Sequence, residues 1–226
     1  MKQREALRQL LLRANARERI KSFFPASGPF SRDKYNKHIE FFAAGREHQE
    51  RALIAANRAG KTICGAYEVA LHLTGLYPDW WPGHRFTEAV AIWAAGDTAQ
   101  TTRDIVQFEL LGPPEDHGTG MIPYKCLGKI SMARGTPNAV DTVTVKHASG
   151  GQSSLGFKAY ADGREKFQGT ARNVIWFDEE PPESVYDEAL MRLMTTRGLM
   201  LCTFTPLRGL SAVALRFLPH LAPSQT

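Results

Sequence analysis

Apolar positions along this chain follow two alternating rhythms. Short continuous apolar runs at 51–56, 89–95, 173–178 and 199–204 suit strands buried on both faces. Between them lie stretches where apolar residues return at helical spacing: from Lys61 to about Leu76, closed by Gly75 and Pro78, then Thr98 to Leu111, 183–197 and 209–218. Such alternation argues for a three-layer α/β domain with a mostly parallel sheet. Residues 128–160 break the rhythm. Segments such as 141–146 (DTVTVK) and 154–158 (SLGFK), set among Gly, Asn and Ser, predict antiparallel hairpin strands.

At the N-terminus, residues 2–21 carry Leu7, Leu10, Leu11 and Ile20 among many Arg, Lys and Glu, predicting an amphipathic helix that Pro25, Gly28 and Pro29 bring to an end. Residues 38–50 read as helical or irregular, and 77–83 (YPDWWPG) as a rigid aromatic loop. The expected organisation is a helix and linker over 1–30, one domain over 31–218 and a tail over 219–226, without internal repeats.

With 43% hydrophobic and 23% charged residues in a chain of 226, the composition is that of an ordinary globular protein. No apolar run approaches the ~18 residues of a membrane span, and the charged N-terminus lacks a signal-peptide core. No membrane association and a cytoplasmic location are therefore expected. The formal charge of +5 favours a polyanionic partner without proving one. Cys64, Cys126 and Cys202 are far apart and read as reduced core residues.

The chemistry concentrates at two places. After the run at 51–56, Asn57, Arg58, Ala59, Gly60, Lys61 and Thr62 stand where a phosphate-binding loop turns into a helix. Backbone amides from about Arg58 to Thr62 would face the β- and γ-phosphates of a nucleoside triphosphate such as ATP, helped by the helix N-terminus. Gly60 lets the backbone approach closely, Lys61 bridges phosphate oxygens and the Thr62 hydroxyl ligates Mg²⁺. The usual pattern begins with Gly, where this chain has Ala55. The plainer alternative is a helix start after a tight turn, with Arg58 a solvated loop cation.

Far downstream, four apolar residues put Asp178 at the tip of a buried strand, where a carboxylate needs a cationic or metal partner. Its expected role is Mg²⁺ binding through water, with Glu179 orienting and deprotonating the attacking water. Acids opening the next helix are the alternative, and Glu180 fits it. One helix further on, Thr203 and Thr205 share one side of a strand by period 2 and would sense the γ-phosphate, or are simply β-formers.

Taken in order, 57–62 (NRAGKT), 77–81 (YPDWW), 166–169 (KFQG), 176–182 (WFDEEPP) and 203–206 (TFTP) resemble the large terminase subunit of tailed bacteriophages, over roughly residues 40–218. The resemblance implies a P-loop NTPase of the ASCE type, an antiparallel hairpin extension on its mostly parallel sheet, and ATP-driven packaging of double-stranded DNA into a procapsid. It makes Glu179 the catalytic carboxylate, explains Ala55 and Arg58, and assigns coupling to Thr203–Pro206. It also implies an adenine-contacting Gln upstream of the loop, for which Gln49 is the candidate. The partners implied are double-stranded DNA read without sequence preference, the portal protein, the small terminase subunit and further copies in a ring, the isolated chain being a monomer.

Some family members carry an arginine about ten residues before the Mg²⁺ aspartate that reaches a neighbour's nucleotide. Here that place holds Gln168, with Arg164, Lys166 and Arg172 nearby; Arg164 is the leading candidate, against surface charge. The family's C-terminal nuclease carboxylates have no counterpart before Thr226, so DNA cleavage is not expected of this chain. Two rivals stay open: a helicase-like DNA-dependent ATPase, and a catalytically weak remnant acting as a binding module for portal or small subunit.

Overall fold

The computed structural model describes residues 5, 8, 11, 12, 14–207 and 209–221. One seven-stranded sheet organises the chain, with strand order β1-β7-β6-β2-β5-β4-β3. Its members are β1 (Glu50–Ile54), β2 (Ala91–Gly96), β3 (Leu127–Met132), β4 (Val140–Lys146), β5 (Gln152–Ala159), β6 (Val174–Asp178) and β7 (Leu199–Phe204). The first five in spatial order are mutually parallel, and β4 and β3 continue the sheet antiparallel.

The antiparallel hairpin expectation holds for β3, β4 and β5, and β5 also joins the parallel part of the sheet. That strand pairs antiparallel with β4 on one side and parallel with β2 on the other, Ala91 facing Ser154 through Gly96 facing Ala159. Its buried inner residues, Leu155, Gly156 and Phe157, suit a strand enclosed by neighbours rather than an outlying ribbon.

Period 2 divides the sheet into two cores. Val174 and Trp176 of β6 and Leu199 and Leu201 of β7 face α2 (Lys61–Thr74), while Ile175, Phe177, Met200, Cys202 and Phe204 face α4 (Glu183–Leu193) and α5 (Ala212–Phe217). Helix α2 lies so deep that of its residues only Thr62 and Ile63 are not fully buried. The aromatic loop covers it: Trp80 stacks on Tyr67, and Trp81 packs against Phe42 of α1 (Asn36–Ala44) at 4.7 Å between ring centroids.

Several expected boundaries move for local reasons. Helix α3 (99–111) starts at the Thr98 capping box but widens to π-helix over Thr102–Gln107, where the Gln107 side chain is tied to Val140 and Asn138 of the hairpin. Helix α4 ends at Leu193, because the amide of Gly198 turns back to its carbonyl and Arg197 takes a left-handed backbone. Helix α5 starts only at Ala212, where Ser211 accepts from the Ala214 amide.

At the N-terminus, residues 5, 8, 11, 12 and 14–16 are helical and Arg19–Ser22 form a 3₁₀ turn; Leu7 and Leu10 lie outside the described residues. The boundary expected near residue 30 has no counterpart in the packing. Phe24 is buried 5.3 Å from Phe42 and 5.0 Å from Tyr67, centroid to centroid, so the segment from Ile20 onward belongs to the main core. All three cysteines are buried and free, as expected. Among the described residues, no helix is long and apolar enough to cross a membrane.

Candidate active site

The strand order builds the site. β7 lies between β1 and β6, so the loop leaving β1, the Thr203–Thr205 strand end and the Asp178–Glu179 tip emerge side by side on one edge of the sheet. Residues separated by more than a hundred positions thereby come into contact.

The loop from Ala55 to Gly60 takes left-handed backbone at Arg58 (φ 64°) and at Gly60 (φ 79°). Gly60 is the N-cap of α2 but supplies no side chain to it, and among the described residues no backbone carbonyl accepts from the amides of 57–62. A helix start with donors left over and its positive dipole end exposed is suited to an anion.

Lys61 is 6% exposed, yet the described residues give it no carboxylate partner. Its ammonium donates to the Ala56 carbonyl at 3.0 Å and to Thr205 Oγ1 at 2.8 Å. Thr205 Oγ1 in turn lies 2.9 Å from the Ala55 carbonyl and 2.9 Å from Asn57 Oδ1, with one proton to give to either. Thr205, Asn57 and Lys61 thus form one cluster around the loop.

Asp178 forms a second cluster. Its carboxylate accepts from Thr62 Oγ1 at 3.0 and 3.2 Å and from Thr203 Oγ1 at 2.8 Å. Trp176 Nε1 donates to that same Thr203 oxygen at 2.7 Å. Burial pushes the Asp178 carboxyl up to about 7, against the lowering pull of the Thr203 and Thr62 hydrogen bonds. The buried Asp178 carboxylate, beside the Thr62 hydroxyl at a helix N-terminus, presents hard oxygen donors that fit Mg²⁺. Among the described residues no group of three or more His, Cys, Asp or Glu side chains could hold a metal. A Mg²⁺ here would therefore draw most of its ligands from phosphate and water, which is its usual habit.

Glu179 turns off the sheet with left-handed backbone, φ 70°, while its amide still bonds the Thr203 carbonyl at 3.0 Å. Such strain persists only where the surroundings hold it. Here the buried Tyr160 hydroxyl sits 3.0 Å from the carbonyls of both Asp178 and Glu179 and 3.2 Å from that of Ala95, and donates among them. Glu179, Glu180, Asp97, Thr205 and Leu207 line a cavity of about 190 Å³. Glu180 bonds the Ser211 hydroxyl that caps α5, which agrees with its structural reading.

The sequence model of a family described as "Terminase large subunit, T4likevirus-type, N-terminal" matches residues 52–224. The chain belongs to the terminase large subunit family. The large subunit of Salmonella phage P22 is 38% identical to it over 211 residues, taking in 84% of this chain and 42% of that protein. Two solved structures share its fold at 16% identity. A large terminase from a thermophilic bacteriophage, in complex with ADP, has a TM-score of 0.58 and aligns with 82% of this chain and 42% of its own. A mutant of the large terminase ATPase domain from Thermus phage P74-26 has a TM-score of 0.53, covering 80% and 72%. This terminase chain thus spans less than half the length of its P22 relative. Its fold is the expected α/β architecture, a mostly parallel sheet extended by an antiparallel hairpin, and it is shared with those terminase structures.

Two expected terminase site residues fall away from the loop. Gln49 is exposed at the N-terminal end of β1, its carbonyl bonded to the Met200 amide, whereas the phosphate loop leaves the other end. Five residues of strand separate them by roughly 17 Å. Gln49 thus lies at the opposite end of β1 from the Ala55–Gly60 loop. What does adjoin the loop is a cavity of about 360 Å³ lined by Phe30, Tyr35 and His38 together with Arg58, Ala59 and Gly60. Its signal in the sequence was an aromatic-rich stretch between a Pro/Gly segment and the first strand.

Arg164 is exposed on a 3₁₀ turn, Arg164–Phe167, that follows β5. Among the described residues no hydrogen bond or ion pair ties Arg164 to the site formed by Lys61, Asp178 and Glu179. Tyr160 and Asp97 do approach it, and both went unnoticed in the sequence because neither belongs to a spaced motif.

Proposed function

We propose that this chain is the ATPase motor domain of a phage or prophage large terminase, hydrolysing ATP to drive double-stranded DNA into a procapsid in the host cytoplasm. The single observation that carries the reading is the Thr62–Asp178 contact beside Lys61 and Glu179. It joins a phosphate loop, a metal-binding pair and a candidate base at one helix N-terminus.

The amides of 57–62 and Lys61 would bind the phosphates, and Asn57, Arg58, Ala59 and Gly60 would shape the loop around them. Thr62 and Asp178 would hold Mg²⁺, which when bound neutralises phosphate charge. Glu179 would orient and deprotonate the attacking water, its side chain set beyond the strand tip by the left-handed turn. The Tyr35–His38 cavity next to Gly60 would receive the base. Thr205 would pass loss of the γ-phosphate to the segment leading into α5, since it already touches Lys61.

DNA would be held through phosphates without base reading, so binding should weaken as salt rises. The working form would be a ring of copies engaging portal and small subunit, with Arg164 facing a neighbour's nucleotide. Its exposure on the turn after β5, with no side-chain hydrogen bond or ion pair to other described residues, supports that direction. The domain would extend from about Ile20 to at least Leu218, on the packing of both ends.

The decisive experiment compares Glu179→Ala with the unaltered chain in Mg²⁺-dependent ATP turnover, with and without double-stranded DNA. Hydrolysis lost and nucleotide affinity kept is the expected result; surviving hydrolysis would sink the assignment.

A further inference from the structure

We infer that Trp176 and Thr203 are positioning residues for the metal-binding carboxylate, forming a one-directional hydrogen-bond chain that sets how Asp178 faces Thr62. The inference rests on the proposed reading of Asp178 as a Mg²⁺ ligand.

The indole begins the chain because it can only donate. Trp176 is wholly buried on the α2 side of β6, and a buried indole N–H requires an acceptor. Its acceptor is Thr203 Oγ1 at 2.7 Å, a side chain with no exposure of its own. With that oxygen engaged as acceptor, the Thr203 proton points away from the indole. It has two possible takers: Asp178 Oδ1 at 2.8 Å and the Phe177 carbonyl at 3.3 Å. The nearer, charge-bearing oxygen is the stronger acceptor. Trp176 therefore makes Thr203 a committed donor to Asp178.

The indole's own place is fixed from behind. A Cβ at Gly65 of α2 would lie 2.4 Å from both the Cε2 and Nε1 atoms of Trp176. Only glycine at 65 lets the ring lie against the helix that starts at the phosphate loop, one turn after Thr62. The chain from Gly65 through Trp176 and Thr203 to Asp178 thus closes on the same helix through Thr62. When Thr62 turns its hydroxyl oxygen towards a metal, Thr203 is the hydroxyl that still holds Asp178 in place.

The test measures metal binding apart from turnover. Mn²⁺ is titrated by electron paramagnetic resonance against the chain saturated with a non-hydrolysable ATP analogue. Binding of a fluorescent analogue is measured separately in EDTA. Thr203→Val should weaken Mn²⁺ about tenfold or more, the loss of one hydrogen bond to a charged group, and Thr203→Ser should restore it to within about twofold. Trp176→Phe should weaken it in the same direction, and should add nothing further in the Thr203→Val background, since both act through one oxygen. Analogue binding in EDTA should stay the same throughout, which also shows that the variants fold.

Unchanged Mn²⁺ affinity in Thr203→Val overturns the inference. So does a second, independent loss from Trp176→Phe in that background. Asp178→Asn separates the two levels: if it too leaves Mn²⁺ affinity unchanged, the reading of Asp178 as metal ligand is what fails.

Discussion

Lys61 Nζ lies 2.8 Å from the hydroxyl of Thr205, a residue 144 positions further along the chain. The contact joins the phosphate loop to the end of β7 through the very ammonium that a nucleotide would draw away. Thr205→Val removes that link while keeping the side chain's shape. Nucleotide affinity should stay within about threefold while turnover drops by about tenfold or more, the pattern of an interaction made beyond ground-state binding. Calorimetric binding and steady-state ATP hydrolysis would show it, and an equal loss in both would instead make Thr205 a simple binding residue.

The proposed base pocket distinguishes Gln49 from Tyr35 and His38. Gln49→Ala, at the far end of β1, should change ATP affinity less than about twofold, whereas Tyr35→Ala or His38→Ala beside Gly60 should weaken it by about tenfold, within the range for losing an aromatic contact. Affinity for inorganic triphosphate, which has no base, should not move in any of the three. Competition titrations with ATP and triphosphate test this directly.

Arg164 calls for a mixing experiment. If it serves a neighbour, Arg164→Ala and Glu179→Ala chains should each be inactive when assembled alone, yet mixed assemblies should regain part of the turnover, because one intact site forms between a donor and an acceptor chain. Absence of any recovery over a range of ratios would count against Arg164 acting across an interface.

Beneath the site, Arg51 and Glu68 form a buried bidentate pair, 2.6 and 2.9 Å, with the Phe41 carbonyl as a further acceptor. Removing one partner strands the other charge. Glu68→Ala should cost about 3–5 kcal/mol in chemical unfolding, and Arg51→Met with Glu68→Leu should recover much of it. A loss of under about 1 kcal/mol in the single variant would show that water reaches the pair.

His72 completes that network, and its protonation sets a pH dependence. Phe86 N donates to the Tyr77 hydroxyl at 2.9 Å, that hydroxyl lies 2.8 Å from His72 Nδ1, and His72 Nε2 lies 3.1 Å from the Glu68 carboxylate. With the Tyr77 hydroxyl as donor to Nδ1 and Nε2–H as donor to Glu68, the network is satisfied by the neutral ring. Burial drives the His72 pKa below its ordinary value of 6.5, despite the opposing pull of Glu68. The unfolded chain therefore takes up a proton that the folded one refuses. The stabilisation is complete above pH 6.5 and is lost as pH falls from there towards the lower folded value, at most about 1.4 kcal/mol per pH unit. His72→Gln keeps a donor and an acceptor but cannot titrate, so its melting temperature should fall less steeply on acidification than that of the unaltered chain.

Much of this was legible in the sequence, and the limits are physical. The apolar runs at 51–56 and 173–178 marked buried parallel strands, and period 2 placed Thr203 and Thr205 on one side of theirs; in the structure Thr205 contacts Lys61 and Thr203 contacts Asp178. Gln49 precedes the strand that the Ala55–Gly60 loop follows, so the two stand at opposite ends of β1. The two roles of β5 were hidden because alternation cannot distinguish parallel from antiparallel neighbours. Tyr160 could not be found at all. Its hydroxyl matters only because three carbonyls from two other strand ends converge on it, a fact of topology that no local spacing encodes.

The segment between Thr205 and Ser211 is moored at both ends to the proposed nucleotide site, at one end to Lys61 and Asn57 and at the other to Glu180. In the proposed reading, a phosphate that drew Lys61 away from Thr205 would act on one end of the connection into α5, while Glu180 holds the Ser211 end beside the strand tip that bears Glu179.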